Sequence, residues 1–124
     1  METLALAGSR ADAVLTKAVV RAAKKLGLSN SELAKTIGTS KSSVSRMADG
    51  TKVLRSEMKD FDLAVNLVRL FRSLDAITGG DEAANRSWMR SPNQALNGTP
   101  AQLITTAAGL IHVVDYLDDR RAPV

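Results

Sequence analysis

The stretch from residue 29 to residue 50, SNSELAKTIGTSKSSVSRMADG, decides how this chain folds. Ser29 and Glu32 form a capping box: the serine hydroxyl can accept from the Glu32 backbone N–H while the carboxylate reaches back to the Ser29 N–H. A short helix is therefore expected to begin here, run through Ile37 and stop at Gly38. Ser40 can cap a second one reaching about Met47. Ala34 is small where two such helices cross closely. Gly38, four residues on, can take the positive φ of a tight turn without a Cβ penalty. Val44, six further, plugs the interface, and Leu33, Ile37 and Met47 complete a small core. These offsets are those of a helix-turn-helix spanning Asn30 to Asp49, closed by the turn Asp49-Gly50-Thr51.

On the N-terminal side, Val14, Leu15, Ala18, Val19, Ala22 and Leu26 recur at helical spacing and predict a helix over 11–26, ended by Gly27 after a basic last turn. On the C-terminal side, Phe61, Ala64, Leu67, Val68, Phe71 and Leu74 predict a longer helix over 58–77. Leu63, Leu70 and Ile77 widen its stripe, as in a helix buried on more than one side. Gly79-Gly80 ends it, and a helix from Asp81 to about Met89 follows, stopping before Pro92. Thr99, Pro100 and Gln102 read as N-cap, first position and T-x-x-Q box of one last helix, carried by Leu103, Ile104, Ala107, Ile111, Val114 and Leu117 to about Asp118. Asp119 to Val124 read as a short polar tail. The expected fold is all-α: a helix-turn-helix bundle in residues 1–56 joined to a helical C-terminal domain in residues 57–124.

The 124 residues are 44 % apolar but only 3 % aromatic, so Leu, Ile, Val and Ala must fill the core, as they do well between packed helices. There is no cysteine, hence no disulfide and no thiolate metal site. The opening Met1–Ala7 has no basic n-region and too short an apolar run for a signal peptide, and no stretch approaches the ~18 apolar residues of a spanning helix. A soluble, cytoplasmic protein is expected, with no membrane partner and no cofactor.

Net charge is +4, unevenly spread: residues 1–57 hold ten Lys/Arg against five Asp/Glu, residues 58–124 seven against eight. Such asymmetry fits either a nucleic-acid partner for the basic part or a well-solvated face. The helix-turn-helix favours the first, because residues 17–55 carry nine basic and two acidic side chains. Its second helix, capped by Ser40, is expected to present Lys41, Ser42, Ser45 and Arg46 to a major groove, Lys and Arg donating to guanine O6/N7. Lys52 and Arg55, just beyond, are expected on the phosphate backbone. Serine-rich readers make soft contacts, so a dimer on two half-sites is expected. Phe61, Leu63, Leu67, Leu70 and Phe71 offer it apolar surface.

The residues Trp88-Met89, then Pro92-Asn93-Gln94-Ala95-Leu96-Asn97-Gly98-Thr99-Pro100, then Leu103, Thr106, Gly109 and Val113 form a further pattern. It resembles the C-terminal toxin-binding domain of the Xre/MbcA/ParS antitoxin family: a Trp with an apolar neighbour, P-N-x-x-L-x-G-x-x-P, and a helix with a small residue midway. Met89 stands where leucine is commoner, and Pro100 comes one position early. With the helix-turn-helix before it, the resemblance covers nearly the whole chain. It implies an antitoxin that blocks the active-site cleft of a RES-domain toxin, an enzyme resembling ADP-ribosyltransferases that consumes NAD or modifies a target with it, and that represses the shared operon. It also implies toxin-binding roles for Trp88 and for the tail residues Asp119, Arg120, Arg121 and Val124. Read from the residues alone, that tail is either a solvated end or an arm whose arginine forks suit acidic groups.

Several residues invite chemistry that the sequence does not complete. His112 is the only histidine, too few for a histidine metal site or a Ser-His-Asp triad, and reads as packing or interface. Ser42, Ser43 and Ser45 have no adjacent base. Gly79-Gly80 lacks a phosphate-loop pattern. No catalytic or metal residue is assigned, and an enzyme is not expected. The readings left are an antitoxin that also represses transcription, a stand-alone repressor whose C-terminal half only dimerises, and a protein-binding module whose helix-turn-helix has lost DNA.

Overall fold

A computed structural model describes residues 9–121, and among them the fold is all-α. The helices are α1 (Arg10–Leu26), α2 (Asn30–Ile37), α3 (Lys41–Asp49), α4 (Lys59–Thr78), α5 (Glu82–Arg90), α6 (Pro100–Leu103) and α7 (Ala107–Arg121). The first three begin where a serine stays extended and lends its hydroxyl to an orphan N–H. Ser9, Ser29 and Ser40 accept from Asp12, Glu32 and Ser43 at 3.0, 3.1 and 3.0 Å. At Ser29 the box closes in both directions, its N–H donating to Glu32 Oε1 at 2.8 Å. Gly38 takes φ +77° in the turn between α2 and α3, where any Cβ is strained. The helix-turn-helix is thus formed as its spacing demands.

Leu33, Ala34, Ile37, Val44 and Met47 are each at most 5 % exposed. They do not make a core of their own. Val19 and Leu26 of α1, Leu67 and Leu74 of α4, and Leu110 and Leu117 of α7 belong to the same continuous apolar cluster. Helix α4 runs through its middle, packing on α1, α2, α5 and α7. Ala64, Leu67, Leu70 and Leu74 are essentially buried, which is why its apolar stripe had to be broad. The edges of the stripes stay outside: Ile77 is 45 % exposed, and Val14, expected on the core face of α1, is 61 % exposed.

Between α5 and α6 the motif Pro92–Pro100 has a specific geometry. Asn93 and Gly98 exchange backbone hydrogen bonds at 2.9 and 3.2 Å in a single antiparallel bridge. Asn93 Oδ1 accepts from the Leu96 N–H at 3.1 Å, Leu96 is buried at 3 % exposure, and Asn97 turns the chain at φ +59°. Asparagine tolerates that left-handed conformation better than most residues. The pattern therefore encodes a knot of backbone that pins Leu96 into the core.

The last helix is not continuous. It breaks at Ile104–Thr106 into α6 and α7, and Thr99 makes no side-chain cap bond, so the expected T-x-x-Q box is absent. Thr105 turns its hydroxyl back onto the Gln102 carbonyl at 2.8 Å, and Thr106 Oγ1 caps the new helix by accepting from the Gly109 N–H at 3.0 Å. Such hydroxyls offer the backbone an alternative to the helix ladder. The close fit at the break explains Gly109: a Cβ there would lie 1.9 Å from the Leu103 carbonyl oxygen. Restarting the helix also resets its buried face to Leu110, Val113, Val114 and Leu117, leaving Ala107 and Ile111 exposed. Finally, α7 continues to Arg121, so Asp119, Arg120 and Arg121 occupy its last turn rather than a tail, with both arginines favourably placed at the negative end of the helix dipole. Val124 lies outside the described residues.

Candidate functional site

Helix α3 exposes one polar face. Lys41, Ser42, Ser45 and Arg46, with Asn30 of α2, line a shallow open groove. Ser40 is at its start as the cap, 3.2 Å from Ser42 Oγ. Ser43 points the other way, 5 % exposed, yet it receives both Arg46 Nη2 at 3.3 Å and Lys52 Nζ at 3.0 Å. Lys52 is thereby folded back beside α3. Arg55 stands apart, its Nε 3.8 Å from Glu57 Oε2. Asp49 is occupied locally: Thr51 donates to Oδ1 from its hydroxyl at 2.6 Å and its N–H at 3.0 Å, which holds the carboxyl below its usual range. Five of the expected nucleic-acid residues (Lys41, Ser42, Ser45, Arg46, Lys52) are brought together, Ser40 supports them, and Arg55 lies to one side.

Helix α5 clamps this unit from behind. Arg90 forks onto Glu32 at 2.6 and 2.7 Å and donates to the Gly27 carbonyl at 2.6 Å. One turn earlier, Arg86 donates to the Lys24 carbonyl at 3.0 Å and to Glu82 at 2.8 Å. Arg90 thus takes the Gly27 carbonyl at the C-terminal end of α1, and Arg86 adds a second donor to the Lys24 carbonyl, which already accepts from the Gly27 N–H at 3.1 Å. The Arg90 fork, helped by Ser29, pulls the Glu32 pKa down to about 2 and raises that of Arg90.

A second surface forms where α5 meets α7. Met89 is fully buried, and Trp88 beside it is partly buried and stacks on Tyr116 at 6.5 Å between centroids, with 18° between planes. Arg120 lies 4.4 Å from the centre of the Tyr116 ring, within cation–π range. Arg121 Nη1 donates to Ser73 Oγ at 3.2 Å, and Ser73 donates to Asp118 at 2.6 Å, while Arg69 pairs with the other Asp118 oxygen at 2.6 Å. The Ser73 hydroxyl, with Arg69, holds the Asp118 carboxyl below its usual range, so Asp118 is spent inside the chain. Trp88, Arg120 and Tyr116 are therefore one patch. Asp119 and Arg121 are exposed on the same last turn.

Tyr116, Arg86 and Arg90 were not singled out by the sequence, and Ser43 entered it only as a serine without an adjacent base. Tyr116 and Arg120 stand four apart, the spacing of neighbours on a helix, and that signal was readable. Arg86 and Arg90 share the spacing, and Arg86 meets Glu82 four positions before it, but their partners Lys24, Gly27 and Glu32 lie 58 to 63 positions away. His112, expected in packing or an interface, is exposed on α7 and takes no part in the core. Leu67 and Leu70, expected to offer surface to a second copy, are wholly buried within the chain. A cleft of about 350 Å³ opens between α1 and α4, floored by Val14, Ala18 and Phe71 and rimmed by Lys17, Arg21 and Arg72. Among the described residues no helix is long and apolar enough to cross a membrane, and no group of three or more His, Cys, Asp or Glu side chains converges as a metal site.

Comparison with known families finds two matches. Residues 5–69 match the antitoxin Xre-like helix-turn-helix domain, and residues 73–122 match the antitoxin Xre/MbcA/ParS C-terminal toxin-binding domain. The two matched stretches meet inside α4. No curated protein matches the chain.

Proposed function

The chain belongs to the Xre-like antitoxins, and from that premise we propose that it neutralises a RES-domain toxin with its C-terminal surface and represses its own operon with its helix-turn-helix. The observation that carries the proposal is the presence of two separate exposed surfaces on one core. One is the cationic and hydroxylic face of α3, and the other is the Trp88–Tyr116–Arg120 patch at the last turn of α7. In this reading residues 1–56 supply the DNA contacts and residues 57–124 the toxin contacts.

On the DNA side, Lys41, Ser42, Ser45 and Arg46 enter a major groove, Ser40 orients them, and Lys52 and Arg55 serve the backbone. If about 4–6 phosphates are neutralised, log K falls against log salt with a slope near −4 to −5. On the toxin side, Arg120, Arg121 and Asp119 reach into the toxin cleft with Trp88 as the apolar anchor, and Val124 extends the contact. Two copies on two half-sites supply the avidity that serine contacts lack. Sedimentation of the protein with and without operator DNA tests that stoichiometry.

The decisive experiment is co-expression with the product of the neighbouring gene. Copurification and rescue of growth are expected. Replacing Asp119 and Arg120 together by alanine is expected to abolish rescue while the helical circular dichroism signal and DNA binding persist. Rescue unchanged by that double substitution removes the α7 assignment. One observation favours the second reading, a stand-alone repressor: Arg120 and Arg121 already have partners in Tyr116 and Ser73. Failure to bind any co-encoded toxin, with operator binding intact, selects it.

A further inference from the structure

Arg46 Nη2 and Lys52 Nζ stand 3.3 and 3.0 Å from one atom, Ser43 Oγ, and Ser40 Oγ is 3.0 Å from it as well. A hydroxyl carries no net charge, so it holds the two cations by its dipole alone and leaves their mutual repulsion uncancelled. Neither cation has an ion-pair partner among the described residues. The nearest acid in sequence, Asp49, attracts Arg46 only at a distance, since its carboxylate is hydrogen-bonded to Thr51. Long exposed side chains of like charge separate unless something gathers them. Here Arg46 sits three residues after Ser43 on α3. Lys52 is returned to it by the left-handed Gly50, at φ +87°, and by its own N–H, which donates to the Arg46 carbonyl at 3.2 Å.

Two convergent cations require a ligand with more than one charged acceptor. A backbone phosphate spreads its single negative charge over two non-bridging oxygens and can take both donors at once. A guanine edge offers O6 and N7, which a single arginine fork already fills, leaving the ammonium without an acceptor. We infer that Ser43 is a positioning residue that gathers Arg46 and Lys52 into one clamp for a single DNA phosphate, which moves Arg46 from the major-groove group named above to the backbone contacts. This rests on the DNA-binding reading above. Base discrimination then falls to Lys41, Ser42 and Ser45.

The full-length protein is titrated by fluorescence anisotropy onto two labelled duplexes, the DNA upstream of its own gene and a scrambled duplex of equal composition, over a series of KCl concentrations. Arg46→Ala is expected to weaken both duplexes by the same factor, about 5–10-fold, and to make the salt slope shallower by about 1. Lys52→Ala does the same, and the double variant loses less than the product of the two. Ser43→Ala weakens both duplexes about 3-fold with an unchanged thermal melt, and Ser43→Thr, which restores the hydroxyl, recovers most of that loss. The clamp is refuted if Arg46→Ala erases discrimination between the duplexes while sparing the scrambled one, since that marks a base reader. It is equally refuted if Ser43→Ala leaves affinity and slope unchanged. Absence of wild-type binding to either duplex at low salt removes the DNA reading itself, and the clamp with it.

Discussion

Glu32 has two tasks with different chemical requirements. As the third residue of α2 it closes the capping box, which a neutral amide also does; as the partner of Arg90 it must be charged. Its folded pKa of about 2 lies below the ordinary 4.5, so its contribution is fully present above about pH 4.5 and is lost as pH falls through about 2. The side chains are 29 % and 47 % exposed, and screening reduces the contribution to about 1–2 kcal/mol. Glu32→Gln is thus expected to lower stability by that amount at pH 7, and by progressively less as pH drops from 4.5 toward 2. Urea titrations of both proteins across that range check it, and parallel pH profiles refute it. Gly109 is a starker case. Gly109→Ala puts a methyl group onto the Leu103 carbonyl, where only backbone can yield, and is expected to cost about 2–4 kcal/mol in thermal unfolding.

The two threonines that precede α6 and α7 separate what a motif suggests from what the chain uses. Thr99 stands at the head of a well-formed capping pattern and makes no cap bond, whereas Thr106, in no capping pattern, caps α7 by accepting from the Gly109 N–H. Thr106→Ala is expected to cost about 1 kcal/mol and Thr99→Ala less than about 0.5; equal losses in chemical denaturation contradict this. The same pair shows where sequence reading ends. Helices α1 to α5 were legible to within a residue or two, because serine caps, left-handed glycines and apolar spacing are local signals. The break before α7 was not: no Gly or Pro falls at Ile104–Thr106, and what marks it is the turning of the Thr105 and Thr106 hydroxyls to the backbone. Of the α3 face, the shared exposure of Lys41, Ser42, Ser45 and Arg46 was legible from their spacing. Ser43 was not, since its role depends on a lysine nine positions away returning to meet it. The Arg90–Glu32 fork spans 58 positions and leaves no trace in periodicity.

One apolar cluster runs from Val19 to Leu117, with α4 as its axis. Unfolding is therefore expected to be a single transition, with calorimetric and van't Hoff enthalpies agreeing. A fragment of residues 1–56 keeps the helix-turn-helix sequence but loses the α4 face that Val19, Leu26 and Ile37 share. It is expected to show no cooperative melt by circular dichroism, and a sharp transition in that fragment contradicts the shared core. The position of α4 also bears on how such a protein can be rebuilt by recombination. Two matched stretches meet within it, one at 69 and the other at 73, so a crossover at that junction splits a helix whose sides answer to different neighbours. A hybrid that couples this helix-turn-helix to a foreign toxin-binding domain must therefore inherit Leu67 fitted to one parent and Leu74 fitted to the other. The Glu32–Arg90 fork imposes a second matching condition across the same seam. Shuffled descendants that lack either match start life unstable, which ties the helix-turn-helix and the toxin-binding domain of a lineage to one another by descent, although no atom of their two exposed surfaces is shared.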